Sequence, residues 1–116
     1  MPKATTAINA ALNVFLRNTA YTSPVTVYLG LLNGTTEAVS YTRQAITFAA
    51  PSAGSCTSTN TQTFTGMPAM TVSNLGIYDS LSGGFQLYNT TATASKVTNA
   101  GDTVTVATGA VTVTEA

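Results

Sequence analysis
Apolar and polar residues alternate with two distinct periods along this chain. Near the start, Ile8, Ala11, Leu12, Phe15 and Leu16 recur at three- and four-residue steps, which predicts a helix over about residues 5–18 with Thr5 or Thr6 as its cap. Asn9, Asn13 and Arg17 fall on or near the opposite face. A helix of about three turns is marginal alone, so its apolar stripe is expected to lie on a sheet or on a neighbouring subunit.

From residue 25 onward the period is two. Val25, Val27, Leu29 and Leu31 share one face of a strand that ends at the turn signal Asn33-Gly34. Ala45 to Ala49 alternates again and stops at Pro51. Ser52 to Asn60 reads as an exposed polar loop, and weaker strands follow around Thr63-Phe64-Thr65 and Thr71-Val72, separated by Gly66-Met67-Pro68. Leu75–Tyr78 and Phe85–Tyr88 flank Asp79–Gly84 with hairpin-like spacing. The last stretch, residues 103–114, places valines on one face and threonines on the other. A two-residue turn at Thr108-Gly109 would set Val106 against Val111 and Val104 against Val113, and this hairpin is the favoured pairing. It would force the β-branched Thr108 to positive φ, so one long strand kinked at Gly109 is the competitor.

Seven or eight short strands with no helices between them predict a single all-β domain spanning 1–116: an antiparallel β-sandwich, jelly-roll-like, with one short N-terminal α-helix. Threonine at 24 of 116 positions suits pleated surfaces with one hydroxyl face.

Charge is unusually scarce, at 7% of residues against roughly 25% in ordinary domains. Four basic residues balance four acidic ones, and Lys3, Arg17, Arg43 and Lys96 are too scattered to form a stripe for nucleic acid or an anionic membrane. No apolar run approaches the ~20 residues of a membrane-spanning helix. A surface without net charge lacks self-repulsion, which favours homo-oligomerisation. The start Met-Pro-Lys-Ala-Thr-Thr has no secretory pattern, pointing to production in a cytoplasm. Asn33-Gly34-Thr35 and Asn89-Thr90-Thr91 match the glycosylation pattern by accident of composition on that reading.

Catalysis is not expected. The chain has no His, no Trp and one cysteine, Cys56, which reads as a serine-like loop residue. Its carboxylates, Glu37, Asp79, Asp102 and Glu115, are too dispersed for a metal needing about six to eight oxygens or for a paired acid and base about 5–9 Å apart. Asp79 and Asp102 read as turn caps. The five tyrosines, Tyr21, Tyr28, Tyr41, Tyr78 and Tyr88, read as rim or interface residues more readily than as a sugar-stacking platform. No catalytic, cofactor-binding or metal-binding residue is assigned.

Several runs carry a resemblance. Tyr41-Thr42-Arg43-Gln44-Ala45-Ile46-Thr47-Phe48-Ala49-Ala50-Pro51, then Leu75-Gly76-Ile77-Tyr78-Asp79 with Gly83-Gly84, then Ala100-Gly101-Asp102-Thr103 and Thr108–Val113 resemble a family of small tailed-bacteriophage virion proteins. Members carry the labels tail fibre protein or minor capsid protein. Residues 10–18 and 25–29 are also similar, so the likeness covers nearly the whole chain in order. A glycine-rich insertion expected before Tyr41 is replaced by Glu37-Ala38-Val39-Ser40, and the stretch from Phe64 to Leu75 is shortened and lacks an expected tryptophan. The resemblance implies a β-sandwich subunit of the virion and transfers no functional residues. Its leading implication is a capsid decoration or cement protein that binds the major capsid protein lattice and stabilises it by mass action. The alternative is a tail or tail-fibre component that contacts the host receptor through residues 78–84 and 52–60.

Overall fold
The structure, a computed structural model, describes residues 3–21 and 24–114. Glu115 therefore lies outside the described residues. The chain is mostly antiparallel β with one helix, as the periodicity predicts. Its elements are α1 (Thr5–Arg17), β1 (Val27–Asn33), β2 (Thr36–Glu37), β3 (Gln44–Ile46), β4 (Ser55–Thr57), β5 (Gln62–Met67), β6 (Met70–Tyr78), β7 (Gln86–Thr98), β8 (Asp102–Val106) and β9 (Thr112–Thr114).

One layer is a five-stranded sheet in the order β2-β1-β6-β7, with β3 pairing β1 beside β2. Strands β6 and β7 form the expected hairpin, with Ile77 opposite Tyr88 and Tyr78 opposite Gln86. The other layer is a ribbon in which β4 pairs β9 and β5 pairs β8. Its register is nearly constant, from Ser55 opposite Thr114, through Phe64 opposite Val104, to Met67 opposite Asp102. Residues 55–67 therefore run against residues 102–114 along their whole length. Two interruptions mark the ribbon, a bulge between Phe64 and Met67 and a turn at 107–110, where the Ala110 N–H donates to Ala107 O.

This pairing corrects the favoured hairpin at Thr108-Gly109. Strands β8 and β9 do not pair with each other; they are two halves of one strand kinked at Gly109, whose φ is +80°. Thr108 is spared positive φ, and Ser58 fills the kink by accepting from the Gly109 and Val111 N–H groups. The inward valine face and outward threonine face hold as expected, with Val104, Val111 and Val113 buried and Thr103, Thr105, Thr112 and Thr114 exposed.

The ribbon also corrects the polar loop read over 52–60. Only Ser52 to Gly54 is an exposed turn; Cys56 is a strand residue opposite Val113, and Ser58 is buried. Three-residue strands rich in Ser and Thr carry too few apolar positions to show an alternation.

Leu29, Leu31, Val72 and Ile77 from the sheet meet Phe64, Met67, Val104, Val111 and Val113 from the ribbon, with Ile46 between them. Residues 44–49 stitch the layers at one edge. They pair with β1 through β3, then with 57–59 through Phe48 opposite Ser58 and the Thr59 N–H to Thr47 O bond. This is a sandwich plan, though a five-stranded sheet on a ribbon is not the pair of four-stranded sheets of a jelly roll.

The helix starts one residue earlier than a threonine cap requires. Its N-cap is Ala4, with no side-chain cap bond, because the chain enters α1 directly from a pairing with β7: Lys3 bridges Tyr88, and the Ala4 N–H donates to Leu87 O at 2.7 Å. Asn18 closes the helix in the left-handed conformation, with the Thr19 N–H returning to Asn13 O.

Candidate interaction surface
Two surface features, one on the sheet face that carries Gly30 and one beside β7, are built more elaborately than the fold alone requires. The first rests on a pair of glycines. Gly30 of β1 and Gly76 of β6 are directly opposite each other, which clears a flat patch in the middle of the sheet. A Cβ on Gly30 would lie 2.7 Å from a Tyr78 ring carbon and 2.8 Å from Tyr41 Oη. The patch is therefore the floor for a cluster of Glu37, Tyr41, Arg43 and Tyr78.

Tyr41 sits between β2 and β3 at the edge of β1, and its Oη accepts the Leu31 N–H at 3.2 Å. The same hydroxyl donates to Glu37 Oε2. Arg43 donates to both Glu37 oxygens at 2.7 Å, in the bidentate geometry that suits a guanidinium, and lies 3.6 Å over the Tyr78 ring. Its remaining nitrogen, Nη1, donates to Ser80 O at 2.8 Å and to Gly83 O at 2.9 Å. Burial alone would raise the Glu37 pKa, but the hydrogen bonds from Arg43 and Tyr41 outweigh it and hold the carboxyl below its ordinary value. Burial first, and donation to Glu37 second, push the Tyr41 phenol above the ordinary tyrosine range.

The consequence is a braced loop. Asp79 Oδ1 accepts the Phe85 N–H at 2.8 Å across its neck, and Arg43 grips Ser80 and Gly83 from below. Leu81 and Phe85 stand exposed on it. Asp102 is likewise a turn cap, with its Oδ2 accepting the Asn99 N–H at 2.9 Å. Tyr41, read from the sequence as a rim or interface residue, is half-buried in this cluster, and Arg43, in the same motif, has no role legible from its neighbours in sequence. Two signals were present: Glu37 and Arg43 are two of only eight charged residues, six positions apart, and two of the glycines stand inside strand patterns.

The second feature is α1. It packs on β7 through its small residues: Ala7, Ala10, Ala11 and Val14, with Phe15, Tyr21, Leu87 and Tyr88, line an apolar groove of about 250 Å³. The large residues of its predicted apolar stripe face away. Phe15 is 79% exposed, Leu16 74% and Leu12 49%, and no residue of the helix is fully buried. Of the two places expected for that stripe, its own sheet is therefore not the one used. The groove shares Leu87 and Tyr88 with a second apolar cleft between the layers, lined also by Cys56 and Val113.

The tyrosines divide accordingly. Tyr41 and Tyr78 belong to the cluster under the loop, Tyr28 stands opposite Tyr78 in the sheet register, and Tyr21 and Tyr88 border the groove. Among the described residues no three His, Cys, Asp or Glu side chains come close enough to hold a metal, and no helix is long and apolar enough to cross a membrane.

No curated protein matches the chain. A family model described as "Podophage GP4 fiber I protein gp80" matches residues 2–114, so the chain belongs to that family of phage fibre and virion structural proteins.

Proposed function
We propose that this protein is a subunit of a phage fibre that contacts the host surface through the loop 79–85, and that it works by binding, without turnover. The observation that carries this reading is Arg43, which holds Ser80 O and Gly83 O from beneath while its charge is neutralised by Glu37. A recognition loop gains affinity when its ordering cost is met before the partner arrives, and an internal staple of this kind does so. Leu81 and Phe85, both exposed, supply apolar contact. The family's printed description, a fibre protein, favours this reading over capsid decoration.

Two measurements test it. Quantitative mass spectrometry of purified virions gives the copy number against the major capsid protein: a small number per particle fits a fibre, and comparable numbers would overturn the fibre reading in favour of shell decoration. Purified protein should compete with virions for adsorption to susceptible cells, and Leu81→Asp with Phe85→Ser should abolish that competition while leaving the fold intact. Competition by the double variant equal to that of the wild type would remove the loop from the host contact.

A further inference from the structure
The orientation of α1 is the reverse of what a helix lying on its own sheet adopts. Its half-buried alanines face β7 across the groove, while Ile8, Leu12, Phe15 and Leu16, at i, i+4, i+7 and i+8, form a stripe open to water. With Tyr21 the exposed apolar surface is on the order of 600 Å², taking about 200 Å² for a large side chain; single patches on monomers rarely exceed this, and a partner in a standard interface contributes about 800 Å².

We infer that this face is where a second copy of the same chain docks. Three observations select that occupant. Phe15, 79% exposed, itself borders the groove of about 250 Å³, so one patch offers both the projection and the hollow that a self-complementary contact requires. The helix carries a single charge, Arg17, and no acidic residue, and the chain is neutral, so two copies meet without repulsion and a charged partner would find nothing to pair with. A lipid surface is disfavoured because the polar side of α1 bears Asn9 and Asn13 in place of the lysines and arginines that membrane-surface helices use. The contact does not depend on the fibre reading, since a decoration protein could associate in the same way.

Sedimentation equilibrium of the purified full-length protein tests it. The wild type should self-associate, and Phe15→Asp or Leu16→Asp should weaken association on the order of thirtyfold or more, the effect of removing a central anchor. Phe15→Leu, which keeps apolar area, should retain most of it. Val97→Asp, at an exposed apolar site on β7, should behave as wild type. Because Phe15 and Leu16 are already exposed, circular dichroism and melting temperature of the monomeric variants should be unchanged. A wild type that stays monomeric up to its solubility limit, or a Phe15→Asp variant that associates like the wild type, would overturn the inference. So would a monomer that uses α1 instead to bind phosphatidylcholine–phosphatidylglycerol vesicles or a different virion protein. None of these outcomes bears on copy number or host adsorption, so the two readings fail separately.

Discussion
Arg43 shows how one side chain can fix the geometry of two loops. Four hydrogen bonds leave its guanidinium with its charge matched by Glu37 and its Nη1 donating to the Ser80 and Gly83 carbonyls. Removing one member of such a pair strands the other, which typically costs about 3–5 kcal/mol. Glu37 keeps a quarter of its side chain in water, so Arg43→Ala is expected near the low end, about 3 kcal/mol, by urea unfolding. Arg43→Lys should recover little, because an ammonium cannot span both carboxylate oxygens and both carbonyls. The same pair sets an acid limb. Glu37 has a folded pKa below its ordinary value of 4.5, so its stabilisation is present above that value and is lost as the pH falls through the folded value. Wild-type stability should therefore drop on acidification from about pH 6 to pH 3, and Glu37→Gln, less stable at the upper end, should show a shallower fall. Gly30 makes a converse point. Alanine usually improves a strand interior over glycine by roughly 0.5–1 kcal/mol. Here a Cβ would press on the Tyr78 ring and the Tyr41 hydroxyl, so Gly30→Ala is expected to destabilise by about 1–3 kcal/mol and to lower the melting temperature.

At the scale of elements, legibility followed period and length. Strands β1 and β8 show as alternations because apolar residues repeat on one face, β6 shows only as two pieces, Thr71-Val72 and Leu75–Tyr78, that the structure joins into one strand, and the 79–85 loop shows because Gly83-Gly84 interrupts the apolar runs on either side. Strand β4 does not show: Ser55-Cys56-Thr57 is one apolar residue between two hydroxyls, and its place is decided by a partner 57 positions away, Val113 opposite Cys56. The same long-range pairing decided between hairpin and kinked strand. Valine and threonine alternate identically in both, and only the ribbon partner, 55–67, distinguishes them. The cluster under the loop was hidden for a related reason, since Glu37, Arg43 and Ser80 converge through sheet register and not through any local spacing. The helix was legible as a helix, but its orientation was not, because alanine-on-sheet packing is as compatible with the pattern as leucine-on-sheet packing. That orientation predicts dynamics. With no fully buried residue and a backbone link to β7 at Ala4, α1 should open at a small fraction of the global unfolding free energy. Hydrogen exchange of the dilute protein should be fast over 5–17 and slow over 27–32 and 70–78, and protection of 5–17 should rise with protein concentration as copies cover the helix.

The whole molecule is a neutral body of 116 residues with eight charges, two of which are consumed in the Glu37–Arg43 pair. Such a particle has almost no long-range field, so its encounters are decided by apolar patches and local hydrogen bonds. The loop and the helix then differ in kind. The loop is ordered from within by a partly buried ion pair, whereas α1 presents apolar surface whose burial must come from outside. Association through α1 should consequently respond to salt in a particular way. Screening acts on exposed charge pairs, and within the helix only Arg17 is charged, so the association constant should change little when sodium chloride is raised from about 0.05 M to 0.5 M. Ammonium sulfate strengthens apolar burial by exclusion from the surface and should tighten association, with a negative heat-capacity change on assembly. An association constant that collapsed with sodium chloride would mean that Arg17, Lys3 or Lys96 meets a carboxylate across the contact, and Asp102 on the ribbon would be the acidic group to substitute next. Insensitivity to sodium chloride together with tightening in sulfate would tie assembly to the stripe of Leu12, Phe15 and Leu16, leaving the braced loop free in every copy.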